Sequence, residues 1–177
     1  MRILGIDPGS RKTGFGLIDV KGSRLTYVSS GCIRLGDKPM HDRLKMIHQG
    51  IQQIIEQHNP TVVGLEKVFM NNNPESALKL GQARGVALCA AVLMDLNVHE
   101  YSATKVKSVV VGQGHASKEQ VQFMVKRLLD VKGDLQEDAA DALAVAICHA
   151  HNRGTSEMTS QSKNQWGFDS SRIAGGA

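Results

Sequence analysis

The chain has 177 residues, of which 41% are apolar and 21% are charged, and its formal net charge is +4. These values are ordinary for a globular protein, and the length predicts a single domain with a substantial core. They exclude a membrane-spanning protein, because no segment approaches the roughly 20 apolar residues that a spanning helix needs. Asp7 interrupts the first apolar run too early for a signal peptide. We therefore expect a cytoplasmic protein with no membrane partner, and the positive charge is compatible with an anionic one.

The first ten residues combine a short apolar run with an acid. Residues 3–6 predict a buried strand, Asp7 follows it, and residues 8–10 (Pro-Gly-Ser) predict a turn. A carboxylate at the end of a core strand is costly unless it is compensated, and a bound metal ion is one way to compensate it. The alternative is an aspartate that only caps the turn.

The next segments alternate between strand and helix patterns. Residues 13–19 and 25–35 predict two more strands, which would form an antiparallel meander with the first. Residues 41–57 carry apolar side chains at helical spacing on one face. Residues 61–66 predict a fourth strand, which again ends on an acid, Glu66.

The second half of the chain is mostly helical. Ser117 and Gln120 form a capping box at the start of one helix. The predicted elements are a long helix over 75–96, a strand over 98–101, a helix over 104–111, the capped helix from 117, and a last helix over 137–151. This order predicts an α/β fold with a mixed five-stranded sheet, three antiparallel strands and then parallel ones, flanked by helices. We expect a domain over 1–152 and a flexible polar tail over 153–177.

Small residues recur at four-residue spacing on the long helix. Ala77, Gly81 and Gly85 form a stripe that permits another structural element to approach closely. Packing against the chain's own sheet and contact with a second subunit are both compatible with this stripe.

The charges are unevenly distributed towards the C-terminus. Residues 105–132 contain six basic and two acidic residues, whereas residues 134–141 contain four acids and no base. A basic surface beside an acidic cluster suits a protein that binds a polyanion and chelates a divalent ion. For each lysine taken singly, a solvated helix face is the alternative.

Two acids of the last helix stand out. Asp138 and Asp141 are three residues apart and share a helix face. Asp138 has a simpler explanation as a partner of the helix dipole, but Asp141 lies among alanines on a helix that is otherwise apolar. With Asp7 and Glu66, four carboxylates fall at the ends of core elements. Oxygen ligands of this kind favour Mg²⁺ or Mn²⁺ over zinc.

Other potential ligand residues predict no metal site. Cys32, Cys89 and Cys148 are odd in number and widely separated, which indicates three buried thiols in a reducing compartment. His149 and His151 lie near the end of the last predicted helix and on different faces.

Four segments resemble the RuvC family of bacterial Holliday junction resolvases, in the same order and at the same spacing. They are residues 5–10 (GIDPGS), Glu66 with the following Val68-Phe69, residues 76–85 (SALKLGQARG) and residues 138–144 (DAADALA). The resemblance covers roughly residues 1–152. It implies an RNase H-like fold, a homodimer, and cleavage of four-way DNA junctions by paired nicks that leave 5′-phosphates. It also implies action in recombinational repair with the branch-migration proteins RuvA and RuvB.

The resemblance also implies roles for individual acids. Asp7 would bridge two Mg²⁺ ions, for which Mn²⁺ would substitute, and Glu66, Asp138 and Asp141 would complete their ligand sets. Two ions about 4 Å apart can activate a water and stabilise the leaving oxygen of a phosphodiester.

Three further residues would contact DNA. Lys107 and Lys118 match basic positions of the family and would hold phosphates near the acids. Phe69 would act as an apolar or stacking wedge at the opened junction, with a simple loop anchor as its alternative.

Three other functions compete with this one. Residues 7–10 are similar to the first phosphate loop of the actin and sugar-kinase ATPases, but those proteins need two such domains. A non-catalytic module that binds DNA structures would not need four acids at element ends. An RNase H-like nuclease for another branched substrate also remains open.

Overall fold

A computed structural model describes residues 1–68 and 73–156, with side chains through residue 152. The strands are β1 (Arg2–Asp7), β2 (Lys12–Lys21), β3 (Arg24–Arg34), β4 (Val62–Lys67) and β5 (Val98–Ser102). The helices are α1 (Met40–His58), α2 (Pro74–Val92), α3 (Ala103–Val111), α4 (Lys118–Leu129) and α5 (Glu137–Ser156). None of these described helices is long and apolar enough to cross a membrane. The order of elements is the predicted one.

The strands form one mixed sheet with the spatial order β3-β2-β1-β4-β5. β1, β2 and β3 pair antiparallel, whereas β1–β4 and β4–β5 are parallel pairs. Helices α3, α4 and α5 pack on one face of the sheet, and α1 and α2 pack on the other. The prediction of a five-stranded sheet with helices on both faces is therefore confirmed.

Helix α5 lies very close to the sheet because several strand residues beneath it are glycines. A Cβ atom at Gly5 would lie 2.0 Å from the carbonyl oxygen of Ala142, and one at Gly14 would lie 2.0 Å from that of Asp138. Alanines on the facing side of the helix allow the same close approach from above. The first turns of α5 are thereby held directly against the carboxyl end of β1.

Helix α2 ends at Val92, four residues before the predicted end at Leu96. The amides of Met94 and Asp95 donate to carbonyls only three residues back, and Asp95 has a φ of 58°. This tight turn reverses the chain so that β5 can pair parallel to β4. The apolar residues of the turn resemble a continued helix in sequence, which explains the wrong boundary.

Helix α5 extends beyond its predicted end, to Ser156. The domain boundary predicted at residue 152 therefore falls inside this helix. The rest of the predicted tail, residues 157–177, lies outside the described residues, as do residues 69–72.

Side chains near the end of α5 are more buried than the sequence indicated. His149 is 4% exposed, and its Nδ1 atom lies 2.8 Å from the Tyr101 hydroxyl, so it belongs to the core. Among the cysteines, Cys148 is buried, Cys32 is half-buried and Cys89 is exposed. The expectation of three buried thiols is wrong for Cys89, which lies on the outer face of α2.

Candidate active site

The acids of β1 and β4 meet at one edge of the sheet. In the parallel register Ile6 lies opposite Leu65, so the next residues, Asp7 and Glu66, follow side by side at the carboxyl ends of neighbouring strands. Side chains alternate between the faces of a sheet, and both acids share the face that α5 covers. The two strand-end acids predicted from the sequence are thus neighbours.

Helix α5 brings its acids to the same place. Asp7, Glu66 and Asp141 line one cleft of about 280 Å³. Asp138 lies just outside this lining, and its Oδ2 atom is 3.4 Å from the Nζ atom of Lys12. Both acids of α5 are partly exposed, which leaves their oxygens accessible from solvent. The structure therefore places three of the four predicted acids in the cleft and the fourth at its rim.

The crowding of these carboxyl groups changes their acidity. Burial, followed by the nearby Glu66, Asp141 and Asp138, raises the pKa of Asp7 to about 8. Burial and the charge of Asp141 raise the pKa of Glu66 to about 7, and burial also raises the pKa of Asp141. Each buried negative charge thus makes ionisation of the neighbouring carboxyl groups less favourable. An added positive charge would stabilise the ionised forms of all of them.

Two lysines reach the same cleft from neighbouring helices. Lys107 on α3 and Lys118 at the start of α4 both line it. Lys118 hydrogen-bonds Glu137, and its Nζ atom lies 3.8 Å from Oδ2 of Asp141. The hydrogen bond to Glu137, aided by the charges of the site's carboxylates, raises the pKa of Lys118, so its ammonium group stays charged. The predicted capping box of Ser117 is present and fixes the helix start that carries this lysine.

The donor atoms of the cleft suit a hard divalent cation. All the acidic side chains of the site offer carboxylate oxygens, which are the ligands that Mg²⁺ and Mn²⁺ prefer. Within residues 1–68 and 73–152, no three His, Cys, Asp or Glu side chains are already arranged as a ligand set for one ion. The raised pKa values of Asp7 and Glu66 show the charge crowding that a cation would relieve. By donor type and charge, the residues fit Mg²⁺.

One predicted DNA contact is not described by the structure, and two residues near the acids have contacts that were not predicted. Phe69 lies outside the described residues. Lys12 contacts Asp138 and was not predicted to have a role. Glu137, predicted only as a member of the acidic cluster of residues 134–141, contacts Lys118. The basic pair at residues 11–12, directly after the Asp7 turn, was the available signal for Lys12.

The small-residue stripe of α2 faces away from the core. Gly81 and Gly85 are exposed, and a Cβ atom at either would have no atom within 4 Å. The inward face of α2 carries other small residues, namely Ala83, Ala87, Ala90 and Ala91. Packing of the glycines against the chain's own sheet, one of the two explanations of the stripe, is therefore wrong.

The family profile and two similar proteins that match this chain all belong to one family. The profile of the family described as crossover junction endodeoxyribonuclease RuvC matches residues 3–149. The RuvC of Pseudoalteromonas translucida is 61% identical over 150 residues, which are 85% of this chain and 86% of that protein. The RuvC of Dichelobacter nodosus is 59% identical over 154 residues, which are 87% of this chain and 88% of that protein.

Solved structures of RuvC from another organism superimpose on this chain. Thermus thermophilus RuvC superimposes with a TM-score of 0.79 at 31% identity, over 88% of this chain and 96% of that one. The same protein in complex with a Holliday junction substrate gives a TM-score of 0.81 at 33% identity, over 88% and 97% of the two chains. The RNase H-like fold implied by the sequence motifs is thus confirmed, and the chain belongs to the RuvC family of crossover junction endodeoxyribonucleases.

Proposed function

We propose that this chain is a Mg²⁺-dependent endonuclease that resolves four-way DNA junctions by paired, symmetric nicks. The observation that carries the proposal is the cleft in which Asp7, Glu66 and Asp141 meet beside Lys107 and Lys118. The cleft combines the groups that chelate a cation with the groups that attract phosphate. Its family relative from Thermus thermophilus has been solved with a Holliday junction substrate.

The acids would act as the ligands of the cation. Asp7 would be the shared ligand, with Glu66, Asp138 and Asp141 completing the set, since all three lie close enough to Asp7 to raise its pKa. A pair of bound Mg²⁺ ions, or Mn²⁺ in their place, supplies the Lewis-acid chemistry of phosphodiester hydrolysis. Because ligands must be deprotonated, cation binding would release protons from Asp7 and Glu66 near neutral pH.

The lysines would position the substrate. Lys107 and Lys118 line the same cleft as the acids, so they can hold phosphates of the cleaved strand close to the ligands. Lys118 also balances Glu137 and Asp141, which keeps its own side chain in place. Without these cations, the acidic cleft would repel the phosphate backbone of DNA.

Resolution of a four-way junction requires two cuts, and we infer that a homodimer makes them. The outer face of α2 exposes an apolar and small-residue surface that suits a second copy of the chain. Leu78 is 70% exposed and Val92 is 53% exposed, with Gly81 and Gly85 between them. Two such helices related by a two-fold axis would match the symmetry of the junction. By family resemblance, RuvA and RuvB would be the partners in branch migration.

Mg²⁺-dependent nicking of a mobile four-way junction tests the proposal. We expect Asp7→Asn to abolish cleavage and to leave junction binding largely intact, since the amide keeps the size of the side chain and removes its charge. Glu66→Gln and Asp141→Asn should behave alike. The matched control is Asp130→Asn, because Asp130 is an exposed C-cap with a φ of 49°, a conformation that asparagine adopts readily. Near wild-type nicking by Asp7→Asn would contradict the assignment of the site.

A further inference from the structure

The end of the β2–β3 hairpin beside the acids carries two cations directly opposite each other. Lys12 and Arg34 are register partners in the antiparallel pair, and both are exposed. Like charges at directly opposite positions destabilise a strand pair. An anion bound between or beside the two side chains would remove this cost.

The side chain of Lys12 faces the acidic site. Its Nζ atom lies 3.4 Å from Oδ2 of Asp138. Gly14 lies two residues along β2, on the same face, and a Cβ atom there would meet the backbone oxygen of Asp138 at 2.0 Å. This face of β2 is therefore in contact with the first turn of α5.

Arg34 lies on the same face of the neighbouring strand. Cys32 is the register partner of Gly14, and its Sγ atom donates to Oε1 of Gln136, 3.4 Å away, just before α5 begins. Arg34 is two residues beyond Cys32 on β3, so its side chain leaves the sheet on the α5 side. Arg34 therefore extends past the N-terminal end of α5, one strand away from Asp138.

The guanidinium group of Arg34 has no counter-charge among the described residues. In the part of the chain that the structure describes, no carboxylate lies within ion-pair distance of it. Arg11, at the same end of the hairpin, is by contrast paired with Asp37 at 2.7 Å. Arg34 is thus available to an external anion.

A DNA strand places phosphates on both sides of the bond that is cut. Lys107 and Lys118 reach the cleft from α3 and α4, whereas Lys12 and Arg34 lie on β2 and β3, outside the cleft lining. Of these two, Lys12 contacts Asp138. Cations at the α3–α4 side alone would leave the phosphates at the other side facing uncompensated carboxylates.

We propose that Arg34, with Lys12 beside it, binds a backbone phosphate of the substrate DNA on the β2–β3 side of the acidic cleft. This inference rests on the proposed function, and it adds a second phosphate contact to the one made by Lys107 and Lys118. A guanidinium group suits the role, since its planar fork can donate two parallel hydrogen bonds to phosphate oxygens. A contact of this kind carries no sequence information and should act equally on junctions of any sequence.

Fluorescence anisotropy of a labelled four-way junction with the full chain, in EDTA and over a series of salt concentrations, tests the inference. Arg34→Ala should weaken binding roughly threefold to tenfold and reduce the slope of log K against log [salt] by about 0.9, the value for one phosphate contact. The control is Arg24→Ala, because Arg24 is exposed at the other end of the same strand and is likewise opposite a cation, Lys21. Arg24→Ala should leave the affinity and the slope unchanged.

Charge-conserving and charge-removing substitutions keep the test independent of folding defects. Arg34→Lys should retain the wild-type slope, whereas Arg34→Gln should lose it as Arg34→Ala does. Equal slopes and affinities for Arg34→Ala, Arg34→Gln and Arg24→Ala would overturn the inference. The proposed function is scored separately, by nicking of the junction by the wild type in Mg²⁺. If the wild type does not nick the junction, the proposed function fails, and the salt slopes still test whether Arg34 contacts a phosphate.

Discussion

The close contact between α5 and the sheet yields a prediction that links packing to the active site. Gly5 lies in the middle of β1, and a Cβ atom added there would lie 2.0 Å from the oxygen of Ala142 and 2.8 Å from the amide nitrogen of Ala146. Both atoms belong to the backbone of α5, so no side-chain rotation can relieve the clash. Gly5→Ala therefore forces the helix and the strand apart.

The size of the effect follows from these distances. To regain ordinary contact, α5 must retreat by more than an ångström, although Ala142 and Ala146 are wholly buried. Overpacking of a core costs about 1–3 kcal/mol and occasionally more, and a clash with backbone belongs at the upper end, about 3 kcal/mol. Gly64→Ala is the matched control, because its nearest contact is a side-chain carbon of Val145 at 3.1 Å, which can give way. Its net effect should lie within about 1 kcal/mol of zero, since alanine also restricts the unfolded chain.

Urea unfolding of the wild type and the two variants measures their free energies of unfolding. The comparison requires that the slope of the unfolding free energy against urea concentration is the same for all three proteins. Gly5→Ala should also need more Mg²⁺ for half-maximal nicking under conditions where it is folded, because α5 carries Asp138 and Asp141 away from Asp7. A Gly5→Ala protein as stable and as active as Gly64→Ala would show that α5 does not rest on β1 in the way described.

Three other predictions concern charge and assembly. Because burial raises the pKa of Asp7 to about 8, the folded metal-free chain binds a proton that the unfolded chain releases, and stability should fall as pH rises from about 4 through 8. Asp7→Asn should melt above the wild type at pH 9 in EDTA, and an equal or lower melting temperature would contradict this. Gly81→Glu has no atom to clash with inside the subunit and should give a folded monomer by sedimentation that makes unpaired nicks, whereas a folded dimer would place the interface elsewhere. Lys107→Ala and Lys118→Ala should each lower cleavage roughly tenfold or more without a matching loss of melting temperature, and each should reduce the salt slope by about 0.9. Wild-type turnover of both variants would indicate that the two lysines only lie on a solvated helix face and do not contact the substrate.

Much of the fold was predictable because local patterns and topology agree. Strand-end acids mark the carboxyl ends of β1 and β4, and parallel pairing makes Asp7 and Glu66 neighbours. The capping box at Ser117 likewise fixed the start of α4. The end of α2 was not predictable in this way, because the turn at Asp95 is set by the need to place β5 and not by a proline or glycine.

The surroundings of the acids were harder to predict, since they depend on contacts between distant elements. The ion pair between Lys12 and Asp138 joins residues far apart in the chain, and the basic pair at residues 11–12 does not indicate which acid Lys12 contacts. In sequence, Gly5 indicates room for a close neighbour but not which element supplies it, and Gly14 is only one small residue of a predicted strand. Only the packed structure shows that they let the helix reach the strand ends.

The most direct test of the account is the pattern of cuts that the wild-type chain makes in a mobile four-way junction in the presence of Mg²⁺. We expect two nicks at symmetric positions on opposed strands, with 5′-phosphate ends that a DNA ligase can reseal, and no nicks in EDTA. Nicking that continues in EDTA, or equal cutting of linear duplex DNA of the same sequence, would contradict the assignment of the acidic cleft as the active site of a junction resolvase.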